Sequence, residues 1–294
     1  MEFHLRLILA LFSVVGVVVV GHAADLPSEI YWKKVFPSTP MPQAVRESLR
    51  PERRKEWKPS NLGQQRLDFP ATVSVLHDDV VRSMFFLGKD LHIGNKITPN
   101  FPYNARSTFL PRHAAESIPF STRELPQILN RFSVKPESLE ARLMKDTLEH
   151  CEAEPVPRSE HHCATSLEAM VDYVASKLGK KGVNALSPVI PKDTGAMQYT
   201  VSRLTVLGND DSSLACHKSN YPYTVFFCHT QASTVPYAVS LLASDGTRVT
   251  ALATCHADTS QWNPKYIGFQ VLKVNPGATV CHFLGEHDVL WVRK

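Results

Sequence analysis

The sequence predicts an α+β fold: a helical N-terminal half of the domain, then an antiparallel β-sheet or barrel, stapled by disulfides. Three observations carry that expectation. Two helical stripes lie between residues 136 and 179, strand-like runs fill residues 198–292, and six cysteines follow a secretory signal. Helices first and strands afterwards is the order of an α+β domain rather than the alternation of a parallel α/β sheet.

Residues 1–23 read as a signal peptide. Arg6 gives a basic start, Leu7 to Val20 is almost wholly apolar, and Gly21-His22-Ala23 supplies a small-x-small cleavage site. A membrane span needs ~20 apolar residues, more than this run holds. No later segment reads as a span, so the expectation is a secreted protein with no membrane partner. Residues 24–82 are rich in Pro and charge, show little periodicity, and read as an extended or partly disordered leader. The domain proper is expected over 83–294. It opens with strand-like pieces around Phe85 to Leu91.

Pro136 can start a helix that carries Leu139, Leu143, Thr147 and Cys151 on one stripe. Thr165 and Glu168 have capping-box spacing ahead of a second helix. That helix presents Leu167, Met170, Val171, Val174 and Leu178, and Gly179 can end it. Strands are expected at 199–201, 204–206 and 224–228. Tyr237 to Leu242 and Arg248 to Cys255 are joined by Asp245-Gly246, a strong hairpin signal. Further runs at 266–274, 279–284 and 289–292 read as strands too.

The net charge of +4 is spread along the chain. Its densest basic run, Arg53-Arg54-Lys55, is flanked by Glu52 and Glu56, and reads as a solvated linker face rather than a polyanion site. There is no nucleic-acid module and no Asn-x-Ser/Thr sequon. In an oxidising compartment six cysteines suggest three disulfides, with fifteen possible pairings. Cys151 and Cys163 form a plausible local pair, which leaves Cys216, Cys228, Cys255 and Cys281 to pair among themselves.

Those last four are each followed by histidine: Cys216-His217, Cys228-His229, Cys255-His256 and Cys281-His282. The gaps between dipeptides are ten, twenty-five and twenty-four residues, and eight more lead to Trp291. Chance would place roughly 0.3 such dipeptides in this composition. Neighbours on a strand point to opposite faces, so one face can hold a disulfide while the other displays an imidazole. Four such dipeptides could gather His217, His229, His256 and His282 into one shared polar site. Imidazole suits Cu(II), Zn and Ni. The spacing fits no zinc finger, and oxidised cysteines would not ligate. His92 is a weaker candidate ligand. His161 and His162 read as residues of an exposed loop, and Trp291 as a residue packed over the sheet. Tyr221, Tyr223 and Asp258 lie near the motifs in sequence.

The spacing of the four dipeptides and Trp291 resembles the signature of the plant BURP domain. Further tracts carry the same likeness: Met84-Phe85-Phe86, Asp90-Leu91-His92-Ile93-Gly94, Phe109-Leu110-Pro111-Arg112 and Ile118-Pro119-Phe120-Ser121. So do Cys151-Glu152, Cys163-Ala164-Thr165-Ser166-Leu167-Glu168 and Ser244-Asp245-Gly246-Thr247. The resemblance covers residues 83–292. Upstream, Tyr31-Trp32 and Phe36-Pro37-Ser38-Thr39-Pro40-Met41-Pro42 are similar to the tract in the short unknown-seed-protein and dehydration-responsive branches.

The resemblance implies a protein of the cell wall or a storage vacuole, acting in seed development or stress, with copper as the expected cofactor. It also implies two other roles. One is a copper-dependent autocatalytic cyclase that oxidatively joins a Trp or Tyr side chain to another residue of the same chain. The other is a non-catalytic wall-binding module, as in a polygalacturonase subunit. The partner is accordingly a peptide or acidic pectin. Cores of such cyclases begin with Gln and end in an aromatic residue. Gln43, Gln64 and Gln65 are not followed by a short core ending in Trp or Tyr. Trp32 and Trp57 are the leader tryptophans open to cross-linking, with docking the preferred role for the Tyr31-Trp32 pair.

Overall fold

The computed structural model describes residues 25–49, 84–99, 101, 107–191, 197–209 and 212–294. The expected signal peptide, Trp57 and the basic run at Arg53-Arg54-Lys55 lie outside the described residues. Two antiparallel sheets dominate. The first has six strands in the order β1 (Phe85–Leu87), β10 (Val280–Phe283), β9 (Arg248–His256), β8 (Thr234–Ala243), β5 (Tyr199–Val206) and β2 (Lys96–Ile97). The second has five: β3 (Ser159–Ala164), β7 (Phe226–Gln231), β6 (Ser213–Lys218), β11 (Val289–Arg293) and β4 (Val183–Leu186).

The expected hairpin joins β8 to β9. Gly246 sits at φ 88°, a conformation that costs a residue with a Cβ. The runs expected at 199–201 and 204–206 are one strand, β5, with a register irregularity between Val201 and Arg203.

The expected helices form as α5 (Leu139–Glu152) and α6 (Leu167–Leu178). Ser138 and Ser166 cap them, each side chain accepting an N–H three residues on. The cap of α6 is therefore one residue later than Thr165. Glu168 makes no capping box there; it is buried and accepts the Ser28 hydroxyl at 2.5 Å. Gly179 closes α6 at φ 77°. Shorter helices are α3 (Arg112–Glu116) and α4 (Leu125–Arg131).

Two expectations change. The run 266–274 is not a strand: Ile267–Leu272 forms α7, with Phe269 packed on Trp262 and Tyr266. A short apolar run carries no period that separates strand from helix. The leader is not extended where it is described. Pro27–Val35 is α1 and Gln43–Leu49 is α2. Pro27 enters at a position where a helix needs no N–H, and the Glu29 carboxylate accepts the Leu26 N–H at 2.7 Å.

The alternation of faces sorts the core into layers. Trp291 and Val289 of β11, with Leu214, Cys216, Phe226 and Cys228, face a helical layer made by α1, α2 and α6. Leu290 and Val292 point the other way and meet Leu252 and Leu284 of the first sheet. The outer face of the first sheet holds its own cluster around Tyr199, Val239, Leu241, Ala251 and Phe283.

Candidate metal centre

Cys216 stands directly opposite Cys228, and Cys255 opposite Cys281, each on adjacent antiparallel strands. Their Cα atoms are 3.9 and 4.0 Å apart, and both pairs are disulfide-bonded. Cys151–Cys163 is the third disulfide, tying α5 to β3. Cys216 and Cys228 face the helical core, so the histidines that follow them project from the opposite face, towards the first sheet. His256 and His282 share a face with Leu252 and Leu284 and point back from the first sheet.

All four imidazoles therefore meet between the sheets, as two pairs. His217 Nε2 lies 3.3 Å from His229 Nε2, and His256 Nε2 lies 3.4 Å from His282 Nε2. His217 and His282 link the pairs, with ring centroids 5.6 Å apart. Among the described residues no three His, Cys, Asp or Glu side chains surround one metal-sized point. The expected single shared site is thus one polar space holding two pairs. Each pair has the spacing of two ligands of one small ion: nitrogens at ~2.0–2.1 Å from a common ion are ~3.3 Å apart in a tetrahedral arrangement and ~2.9 Å apart as cis ligands of the square-planar arrangement that Cu(II) prefers.

Outer partners set the tautomers. His217 Nδ1 is 2.9 Å from Asp288 Oδ2. Asp288 is itself held by the Lys218 N–H at 2.9 Å and the Gly285 N–H at 2.8 Å. His282 Nδ1 is 3.3 Å from the Phe283 carbonyl, and His256 Nδ1 is 2.9 Å from the Thr234 hydroxyl. A carboxylate and a carbonyl only accept, so His217 and His282 carry their proton on Nδ1. The Nε2 lone pair of His217 faces His229, and that of His282 lies between His256 and the Thr254 hydroxyl, 3.0 Å away. Such outer-shell bonds orient metal-binding imidazoles.

At His229, His256 and His282 the electrostatics favour neutral rings, the form that ligates. Burial pushes His282 down to about 4, helped by His217, against the Phe283 carbonyl and Asp288. Burial, then the neighbouring imidazoles, holds His229 and His256 well below the ordinary range. Burial opposes charge on Asp288, but His217 and the two N–H donors outweigh it and keep the carboxyl low.

A stability prediction follows from the signs. The unfolded chain takes up protons near pH 6.5, before these folded histidines do. Metal-free stability is therefore complete above about pH 6.5 and falls as the pH drops towards 4. Each such histidine contributes up to ~1.4 kcal/mol per pH unit. Urea unfolding of the disulfide-intact, metal-free protein across this range measures it; a flat profile between pH 7 and 4.5 contradicts it.

The cluster lies at one wall of a cleft of about 800 Å³, whose other walls include Phe85, His150, His161, Phe227, Trp262 and Tyr266. Trp262 lies 4.9 Å from His256, and Phe85 5.8 Å from His282, between ring centroids. The Trp262 Nε1–H is buried and meets no acceptor among the described residues.

The remaining sequence candidates sort as follows. His92 is exposed, bonds the Ile93 carbonyl, and is not among the residues lining the cleft. His161 and His162 lie on strand β3 rather than a loop. His161 is opposite His229 in register, while His162 stacks on Tyr173. Tyr221 and Tyr223 belong to the core beneath α4 and α5. Asp258 is exposed and bonds Ser260. Trp291 is fully buried on the face away from the histidines. Trp32 packs against it at 5.0 Å, so neither tryptophan reaches the cleft. Asp288, His150 and Trp262 are absent from the sequence reading. Asp288 carries no signal that separates it in sequence, since it stands beside Glu286 and His287 in a polar turn ahead of Val289-Leu290-Trp291.

No described helix is long and apolar enough to cross a membrane. A family model described as BURP domain matches residues 84–293. BURP domain-containing protein 3 from Oryza sativa subsp. japonica is 48% identical over 233 residues, which cover 77% of this chain and 54% of that protein. BURP domain protein RD22 from Arabidopsis thaliana is 45% identical over 231 residues, covering 76% and 59%. BURP domain-containing protein 5 from Oryza sativa subsp. japonica is 38% identical over 290 residues, covering 93% and 89%. The chain thus spans little more than half the length of the first two and most of the third. The family match contains all four Cys-His dipeptides, all six cysteines and Trp291, and the chain belongs to the BURP domain family.

Proposed function

We propose that this is a secreted BURP-domain protein of the cell wall or a storage compartment, binding Cu(II) through the pairs His217/His229 and His256/His282. The observation that carries the reading is the pair of Nε2···Nε2 separations, 3.3 and 3.4 Å, with Nδ1 bonded to Asp288 in one pair and to Phe283 O in the other. Imidazole nitrogen is a donor type that Cu(II) accepts well. The disulfides behind them staple the strands that present each pair. The apolar run at 7–20 and the cleavage-like Gly21-His22-Ala23 support secretion.

Asp288→Asn tests the outer shell. The amide keeps the shape but loses the charge that fixes His217, and copper affinity should fall about 10–100-fold. Competition titration with a chelating dye gives the affinity, and circular dichroism confirms the fold. Unchanged affinity removes Asp288 from the account.

The cleft favours a second reading, that of a copper-dependent autocatalytic cyclase. Met84 and Phe85 line the cleft, and they follow directly on the segment that carries Trp57. Phe85 lies beside His282 there, at 5.8 Å between ring centroids. Copper when bound would supply one-electron oxidation of an aromatic side chain. Joining two X–H groups releases two protons and two electrons, which dioxygen takes up as hydrogen peroxide. The cleft walls would hold the aromatic ring and exclude water. Trp32 is withdrawn as a substrate, because it is buried and its Nε1–H is bonded to the Thr39 carbonyl at 2.8 Å. Peptide mapping under copper and oxygen decides the matter. Loss of two hydrogens at the Trp57 peptide, absent in the histidine variants, supports cyclisation. Copper retained with no mass change leaves the binding role alone.

A further inference from the structure

The family match begins at residue 84, yet α1 and α2, from residues 27–49, are built into the core that the matched domain forms. Their attachment has the anatomy of a helix held in a groove. Ser28, Trp32 and Phe36 follow one another at four-residue spacing and are 9%, 2% and 1% exposed. Trp32 and Phe36 both pack on Trp291, at 5.0 and 5.4 Å. Polar contacts surround these anchors. Ser28 bonds Glu168, Tyr31 bonds Asp172 at 2.5 Å, and Thr39 bonds the Val183 carbonyl at 2.5 Å. Arg112 bonds Asp172 at 2.6 Å and lies over the Tyr31 ring. A backbone bond from the Phe109 N–H to the Ser48 carbonyl fixes the far end. The two helices have nine and seven residues, too short to hold their shape in water alone, so the groove shapes them.

We infer that the surface formed by α6, β11 and the Val183 strand is a peptide-docking site whose occupant is the chain's own segment 25–49, held without need of the covalent link. Aromatic anchors in a desolvated centre, ringed by polar contacts, are the arrangement that concentrates binding energy at interfaces. A cut between residues 50 and 83 would then leave a two-piece protein with its N-terminal piece in place.

The test uses the full chain, disulfides formed, with a site-specific protease sequence inserted at Gly63. After cutting, native mass spectrometry and gel filtration should show both pieces as one particle. A labelled synthetic peptide of residues 25–49 should exchange into the nicked protein. The Trp32→Ala peptide should need about 30-fold more, or worse, to do so. Release of the N-terminal piece from a remainder that keeps its circular dichroism overturns the inference. Equal exchange by both peptides overturns it as well, without touching the histidine site.

Discussion

Trp291→Ala should lower the free energy of unfolding by about 3–5 kcal/mol, the range for emptying a buried tryptophan site. Trp291 is 0% exposed and joins its own sheet to the helical layer. Its strand neighbours are Leu214 and Ala185, while Trp32 and Phe36 cover its ring. No single neighbour can collapse into the space without giving up contacts of its own. Trp291→Phe should cost clearly less, since an aromatic ring still fills most of the site. Because Trp32 and Trp291 share the contact, Trp32→Ala combined with Trp291→Ala should cost less than the two single losses added. Urea unfolding of the disulfide-intact protein reads all of these. A loss under ~1 kcal/mol for Trp291→Ala would mean the two tryptophans do not join helices to sheet as described.

Cu(II) should stabilise the folded protein by about 2.7 kcal/mol for each histidine pair it fills, ~5.4 kcal/mol for both, when free metal stands at 100 times its dissociation constant. The gain should vanish when His217, His229, His256 and His282 are all alanine. It should be smaller at pH 5 than at pH 7, because protons compete for the ligating nitrogens. Ala at His92 should leave the gain intact, since that ring is exposed and does not line the cleft. Unfolding curves at several free copper concentrations, buffered with a chelator, check each point. A gain that survives in the fourfold variant would place the metal elsewhere.

The central geometry was legible because it is local. A Cys-His step on a strand puts sulfur and imidazole on opposite faces, whatever the rest of the fold does. What the step cannot show is which strands become neighbours or how far the two sheets stand apart. Two pairs rather than one cage follow from that approach. Asp288 escaped for the same reason: it is 71 residues from His217 and meets it only through the β11–β6 pairing.

The leader helices were missed although Ser28, Trp32 and Phe36 carry a helical spacing, because proline and charge around them outweigh a three-residue stripe. Strand β3 was missed because Ser-Glu-His-His-Cys-Ala has no apolar alternation. It is an edge strand, where charged and polar residues discourage further pairing. Val183–Leu186 is an edge strand too, and only four residues long. The amphipathic helices α5 and α6 and the hairpin at Asp245-Gly246 were the easy parts, each written in a strong period or a turn dipeptide.

The most direct test is electron paramagnetic resonance of the disulfide-intact protein loaded with Cu(II), run beside the double variants His217→Ala/His229→Ala and His256→Ala/His282→Ala. The account predicts copper signals with nitrogen hyperfine structure from imidazole. Each double variant should lose one population and keep the other, and the fourfold variant should lose both. A spectrum unchanged in the fourfold variant, or copper removed by simple desalting, would contradict the claim that these histidine pairs are the metal site.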